Sequence, residues 1–241
     1  MTEEPYRWLE AVGNRREYIR EQLKGATPVF ACSRPEGILL LGIGHGQSKV
    51  FEIYDRHAYA ALGHPVDIER IRQSAIEAAH MEGFNRSTRD VTLRRLISFA
   101  LSPTMKTSFE QIFSPPIMVE AIFAELGETP QQDILVRVHY DGNHHYETSG
   151  VLVAHSDSKK EEEAANWIRK NLAPNTPLAQ AAAVCVTAWR TIMADKPFTD
   201  VAPEANIETA LNGKTIEAGL LDRKATGNVR YRNVTAAQLK G

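Results

Sequence analysis

A glycine run, a histidine pair, two cysteines and one lysine are the places where this sequence could do chemistry. Gly42-Ile-Gly-His-Gly46 follows an apolar run, as a phosphate-cradling dinucleotide loop would. The third glycine of G-x-G-x-x-G, however, would fall on Gln47, and 50–54 continues as a strand where a helix should open. A flexible hairpin turn fits that spacing better. His144-His145 is an adjacent pair among eight histidines, with no HExxH and no Cys-x-x-Cys spacing beside it. It reads as exposed loop histidines, and no metal site is expected. Cys32 and Cys185 both sit in apolar runs and read as reduced thiols used as small core side chains. Lys159-Lys-Glu-Glu-Glu163 reads as the solvated start of a helix, its acids near the positive end of the helix dipole. Taken alone, Lys49 is a surface strand lysine making no specific contact.

The elements that would position Lys49 are legible on both sides of it. Residues 28–32 are short and apolar, Arg34-Pro-Glu-Gly37 is turn chemistry, and 38–41 is continuously aliphatic, which predicts a hairpin with a buried second strand. Residues 50–54 alternate apolar and polar and predict the next strand. Upstream, Pro5 suits the first turn of a helix, and Trp8, Val12, Ile19 and Leu23 recur near helical spacing, predicting a leading helix over 8–25 that ends at Gly25. Downstream, 58–62 is a strand broken by Gly63. Pro65 opens a helix with Ile68, Ile71, Ala75, Ala78 and Ala79 on one face, closed by Gly83. Ser87 and Asp90 suggest a capping box for a second helix, with Leu93, Leu96, Ile97, Ala100 and Leu101 in register and Pro103 at its end. Strands return at 117–123, 134–139 and 150–154. A helix follows over 159–172 and another after a Thr176-Pro177 cap, carrying Leu178, Ala181, Ala182, Cys185, Trp189, Ile192 and Met193. Residues 208–211 and 219–222 read as closing strands. Strands, helix pair, strands, helix pair, strands is the order of an α+β four-layer sandwich, two stacked antiparallel sheets with helices on each outer face.

Composition narrows the function classes. At 241 residues and 43% hydrophobic, the chain can bury roughly 70–75% of its unfolded surface without a disulfide or metal. A formal charge of −2 gives no field to attract nucleic acid or an anionic membrane. The start Met-Thr-Glu-Glu-Pro has no basic segment followed by an apolar one, and no run is long enough for a membrane span. A cytoplasmic protein is expected.

Lys49-Val-Phe-Glu-Ile-Tyr-Asp-Arg56, Ala60-Ala-Leu-Gly63 and Glu82-Gly-Phe-Asn-Arg-Ser-Thr-Arg-Asp-Val-Thr92 resemble α-type subunits of bacterial, actinobacterial-style proteasome core particles, members of the N-terminal-nucleophile-hydrolase superfamily. Asp141-Gly142 and Leu220-Leu-Asp222 fall where that family has them. The helix before the first strand is the α-type mark, since β-type subunits begin that strand with a processed threonine; the Tyr-Asp-Arg start of archaeal and eukaryotic α subunits is absent. Nearly the whole chain follows the resemblance as one domain: a gate segment 1–7, the helix 8–25, a sandwich core 27–222 and a tail 223–241.

The resemblance implies a non-catalytic protein. Aligned on the hairpin, Thr27 takes the place of the β-type nucleophile, Lys49 that of its lysine and Ile43 that of its aspartate. Thr27 is preceded by Gly25-Ala26 and followed by Pro28, so self-cleavage is not expected, and an isoleucine cannot offset a lysine's charge. Thr2 would be exposed by removal of Met1, but it precedes a helix. The resemblance implies instead that Lys49, with Gly25 and Gly63, binds the C-terminal carboxylate of a regulator's tail between adjacent subunits. It further implies that Thr2, Glu3, Glu4, Pro5 and Tyr6 form a gate and that 106–114, with Phe109 and Phe113 as candidates, lines the axial constriction; core packing is the equal alternative for both rings. The implied partners are identical α subunits in a ring, a heptamer in family members, a β-type subunit, an AAA+ ATPase ring or other activator, and unfolded protein in transit, with no cofactor. The competing classes are a self-processed threonine hydrolase of the same fold and a stand-alone α-like ring scaffold.

Overall fold

The computed structural model describes residues 4–173, 175–204 and 207–239. The apolar runs pair as sheets. β1 (Val29–Arg34) and β2 (Gly37–Gly44) form the expected hairpin, Arg34 opposite Gly37 and Val29 opposite Gly42. Because strand side chains alternate between faces, Phe30, Cys32, Leu39, Leu41 and Ile43 go to one side, and Val29, Ala31, Ile38 and Leu40 to the other. β8 (Val151–Ala154), β9 (Thr215–Asp222) and β10 (Tyr231–Val234) complete a sheet of order β10-β9-β2-β1-β8. β3 (Val50–Tyr54), β4 (His57–Gly63), β5 (Val119–Glu125), β6 (Ile134–Val138) and β7 (His144–Glu147) form the second sheet in chain order. The pairings among the described residues are antiparallel.

Burial then fixes the layers. Val29, Ala31, Ile38 and Leu40 meet Ala58, Ala60, Leu62 and Ile122 between the sheets. α5 (Ser158–Asn171), α6 (Leu178–Met193) and α7 (Ile207–Leu211) cover the outer face of the first sheet through Trp167, Ile168, Cys185 and Trp189. α2 (Pro65–Asn85), α3 (Leu93–Leu96) and α4 (Ser102–Glu110) cover the second through Ile71, Ala75, Leu96 and Met105. This is the expected four-layer α+β sandwich. The leading helix, α1 (Glu4–Leu23), drives Ile19 and Leu23 into the inter-sheet core, each worth about 2 kcal/mol as a buried aliphatic side chain.

Several local expectations are corrected. α1 begins at Glu4, so part of the 1–7 segment is helical. Gly42 and Gly44 belong to β2, and the turn lies beyond them. Gly83 does not stop α2: a Cβ there would stand 2.6 Å from the Tyr54 hydroxyl, so glycine serves helix-to-strand packing. Ser87 caps only a 3-10 turn, and Thr92 caps α3. Pro103 does not end that helix, because a π turn (Ile97–Leu101) leads into α4 with the proline in its first turn, where a missing N–H is tolerated. Thr176 does not cap α6, whose N-cap is Pro177 with no side-chain bond. Residues 208–211 lie in α7. His144 and His145 lie on β7, paired to β6 beyond the Asp141-Gly142 turn, a strand without an apolar alternation to reveal it. The expected tail contains β10, which pairs with β9.

Candidate functional site

Lys49 lies immediately before β3 and is held by its backbone from two sides. Its carbonyl accepts Ala61 N–H at 2.9 Å, and its own N–H donates to Glu217 Oε2 on β9 at 2.6 Å. The side chain then crosses β2 where that strand has no side chains. A Cβ at Gly42 would stand 3.1 Å from Lys49 Cβ and 3.2 Å from Cδ, and one at Gly44 would stand 3.4 Å from Cε. The two glycines are a track for the lysine stem. At its end, Nζ donates to Thr27 Oγ1 at 2.5 Å and to the Thr27 carbonyl at 3.1 Å. The Thr27 hydroxyl spends its own proton on the Ile43 carbonyl at 2.6 Å, which turns its lone pairs toward the ammonium.

The electrostatics follow from that enclosure. Burial pushes the Lys49 amine down to about 8, with Glu217 pulling the other way. Burial also raises the Glu217 carboxyl, against the lowering effect of the Lys49 and Val50 N–H groups, the Ser48 hydroxyl and the Lys49 charge. Glu217 is the residue of this candidate site that sequence reasoning missed. The register Gly42↔Glu217 places it beside the bare position on β2, and it lies in the part of β9 that precedes the expected start at 219, the strand running from Thr215. Ile43 contributes only its carbonyl here; its side chain is buried with the α5–α6 layer.

The other candidates are distributed around this point. Gly25 lies in the turn after α1, two residues before Thr27, and is exposed. Gly63 lies two residues beyond Ala61 along β4, at φ +134, and a Cβ there would stand 2.0 Å from the Met118 carbonyl oxygen, so only glycine fits. Thr2 and Glu3 lie outside the described residues, and Glu4, Pro5 and Tyr6 form the first turn of α1. Phe109 is buried, its ring 5.7 Å from that of Tyr140 and under the Arg16 guanidinium, which is the core-packing alternative. Phe113 is fully exposed.

The same geometry bears on nucleophilic chemistry. Thr27 sits beside a lysine of lowered pKa, but its nitrogen is in a peptide bond and its hydroxyl proton is committed to a carbonyl. Its own nitrogen therefore cannot serve as the α-amine base that an N-terminal threonine nucleophile uses.

No family model matches the chain. Among curated proteins, it is 31% identical to the proteasome subunit alpha of Actinosynnema mirum over 82% of this chain and 74% of that one. It is 30% identical to the proteasome subunit alpha of Jonesia denitrificans over 89% and 86%, and 29% identical to that of Geodermatophilus obscurus over 94% and 76%. Likeness at this level over most of both chains, on a sandwich led by a helix and with its hairpin threonine locked inside the backbone, makes the chain a member of the bacterial proteasome α-subunit family.

Proposed function

We propose that this chain, a non-catalytic ring subunit of a proteasome whose catalysis resides in a β-type partner, gates the admission of unfolded chains and docks a regulator's C-terminal carboxylate on Lys49. The observation that carries the docking reading is the ammonium itself. Among the described residues it donates two hydrogen bonds, both to Thr27, and a third donor remains for an incoming acceptor. A carboxylate suits it, because a charge-assisted bond in a half-buried setting is roughly twice as strong as a neutral one. Gly25, exposed and with no atom within 4 Å of where a Cβ would stand, would let a peptide tail approach closely, and Gly63 would border the same site.

The gate would be residues 2–6 at the head of α1, and Phe113 the ring presented to the threaded chain, with buried Phe109 anchoring the segment behind it. We propose a single domain, a heptameric ring in the cytoplasm, and an AAA+ ATPase ring or another activator as the docking partner. Among the described residues, no helix is long and apolar enough to cross a membrane.

Substituting Lys49→Ala should weaken binding of a regulator's tail peptide to the assembled ring by roughly tenfold to a hundredfold, the range set by losing one charged hydrogen bond of about 1.5–3 kcal/mol. Amidating the peptide's C-terminus should do the same to the unaltered ring. Full affinity in the alanine variant would remove the docking role.

A further inference from the structure

The segment that carries Phe113 is not held by its own contacts alone. Arg15, in the middle of α1, reaches across to it with both terminal nitrogens: Nη1 donates to the Ile112 carbonyl at 3.2 Å, and Nη2 donates to the Ser108 carbonyl at 2.9 Å and the Ser114 carbonyl at 2.7 Å. Two of those carbonyls flank Phe113. The third belongs to the last turn of α4, whose terminal carbonyls lack partners within the helix and form the negative end of its dipole. A planar fork of donors can satisfy three such oxygens together, which a lysine's single nitrogen cannot do as well. The segment's own bonds are few and local: Gln111 N–H to the Thr107 carbonyl at 3.1 Å, Ser114 N–H to the Gln111 carbonyl at 3.0 Å, and Ile117 N–H to Ser108 Oγ at 3.1 Å.

We infer that Arg15 is a positioning residue that clasps the 108–114 segment to the leading helix, so that the placement of Phe113 is set by α1, the same helix whose head would carry the gate. This rests on the proposed constriction for its functional meaning, though not for its geometry. The neighbouring Arg16 reinforces the attachment from the same helix, lying 5.7 Å over the Phe109 ring and 3.9 Å from the Asp141 carboxylate. Two successive side chains of α1 thus meet one short stretch, Arg15 at both of its ends and Arg16 at Phe109. A displacement of α1 would carry Phe113 with it.

The test uses the full chain assembled with its β-type partner, in Arg15→Gln, Arg15→Lys and Phe113→Ala forms. Amide hydrogen exchange at Gln111, Ser114 and Ile117 should accelerate about tenfold or more in Arg15→Gln, stay unchanged within β5, and be partly restored in Arg15→Lys. Turnover of a denatured protein should change in Arg15→Gln in the same direction as in Phe113→Ala, with tripeptide hydrolysis moved less. Unchanged exchange in Arg15→Gln overturns the inference. Accelerated exchange with protein turnover unmoved in both Arg15→Gln and Phe113→Ala supports the clasp and removes the constriction reading instead.

Discussion

Drawing the Lys49 ammonium out of water costs it hydration that two oxygens of Thr27 and the carboxylate of Glu217 do not fully replace, so its pKa falls from 10.5 to about 8. Two pH dependences of opposite sense follow. Between about 8 and the ordinary lysine value, the unfolded chain binds the proton that the folded chain has released, so stability rises with pH across that window and is flat in this respect below it. Docking runs the other way. A carboxylate needs the charged amine, so tail-peptide affinity should hold below about pH 8 and then fall, approaching about tenfold per pH unit. Lys49→Met keeps a stem on the Gly42 and Gly44 track and should bind weakly at every pH, without the rise in stability. A tail peptide whose affinity stayed level from about pH 7 to about pH 9.5 would sink this account of the amine. Only part of this was legible in the sequence. Taken alone, Lys49 was a surface strand lysine; the family resemblance singled it out, and Glu217 and the glycine track became visible only once the β2–β9 register was known.

Elements were legible where periodicity was strong and illegible where a distant partner decided the outcome. The β1–β2 hairpin, α2 and α5 follow from apolar spacing and turn residues. The passage of the helix through Pro103 does not, because a π turn supplies what local propensity lacks. β6 offers the sharper case. Arg137 looks like one more polar residue in an alternating strand, yet its side chain is fully buried, 2.6 Å from Glu120 on β5 and 3.0 Å from Glu161 on α5. It also donates to the Val138 carbonyl at 2.9 Å and the His155 carbonyl at 3.2 Å. Burial alone would lower its pKa, and the two carboxylates more than reverse that. One guanidinium therefore joins the second sheet to the helix layer of the first. Arg137→Met should cost about 3–5 kcal/mol, because it leaves two carboxylates without their cation in a dry setting. The shift in urea midpoint at constant slope measures it. A loss below about 1 kcal/mol would mean that water or His139, 3.0 Å from Glu120, takes over the arginine's role.

At the scale of the whole molecule, the layers leave α1 attached at one end and presented at the other. Ile19 and Leu23 are buried in the inter-sheet core, whereas Trp8 and Leu9 are 48% and 68% exposed. Removing 1–7 trims the head of the helix and leaves Ile19 and Leu23 in place, and the Arg15 clasp lies two turns further on. With Ile19 and Leu23 kept, subunits so shortened should still assemble with the β-type ring, as judged by size-exclusion profile and by the unchanged melting temperature of the particle. What should change is passage. If the segment ahead of Arg7 obstructs the axial opening, its removal should raise hydrolysis of small peptides by the assembled particle about threefold or more, because release of a lid raises a rate limited by access and not by chemistry. Denatured protein should gain as well, to the extent that the gate and not Phe113 sets its rate. Peptide turnover equal to that of the full-length particle, with assembly intact, would show that the head of α1 does not stand in the path of the substrate and would leave the subunit its place in the ring and the proposed docking on Lys49.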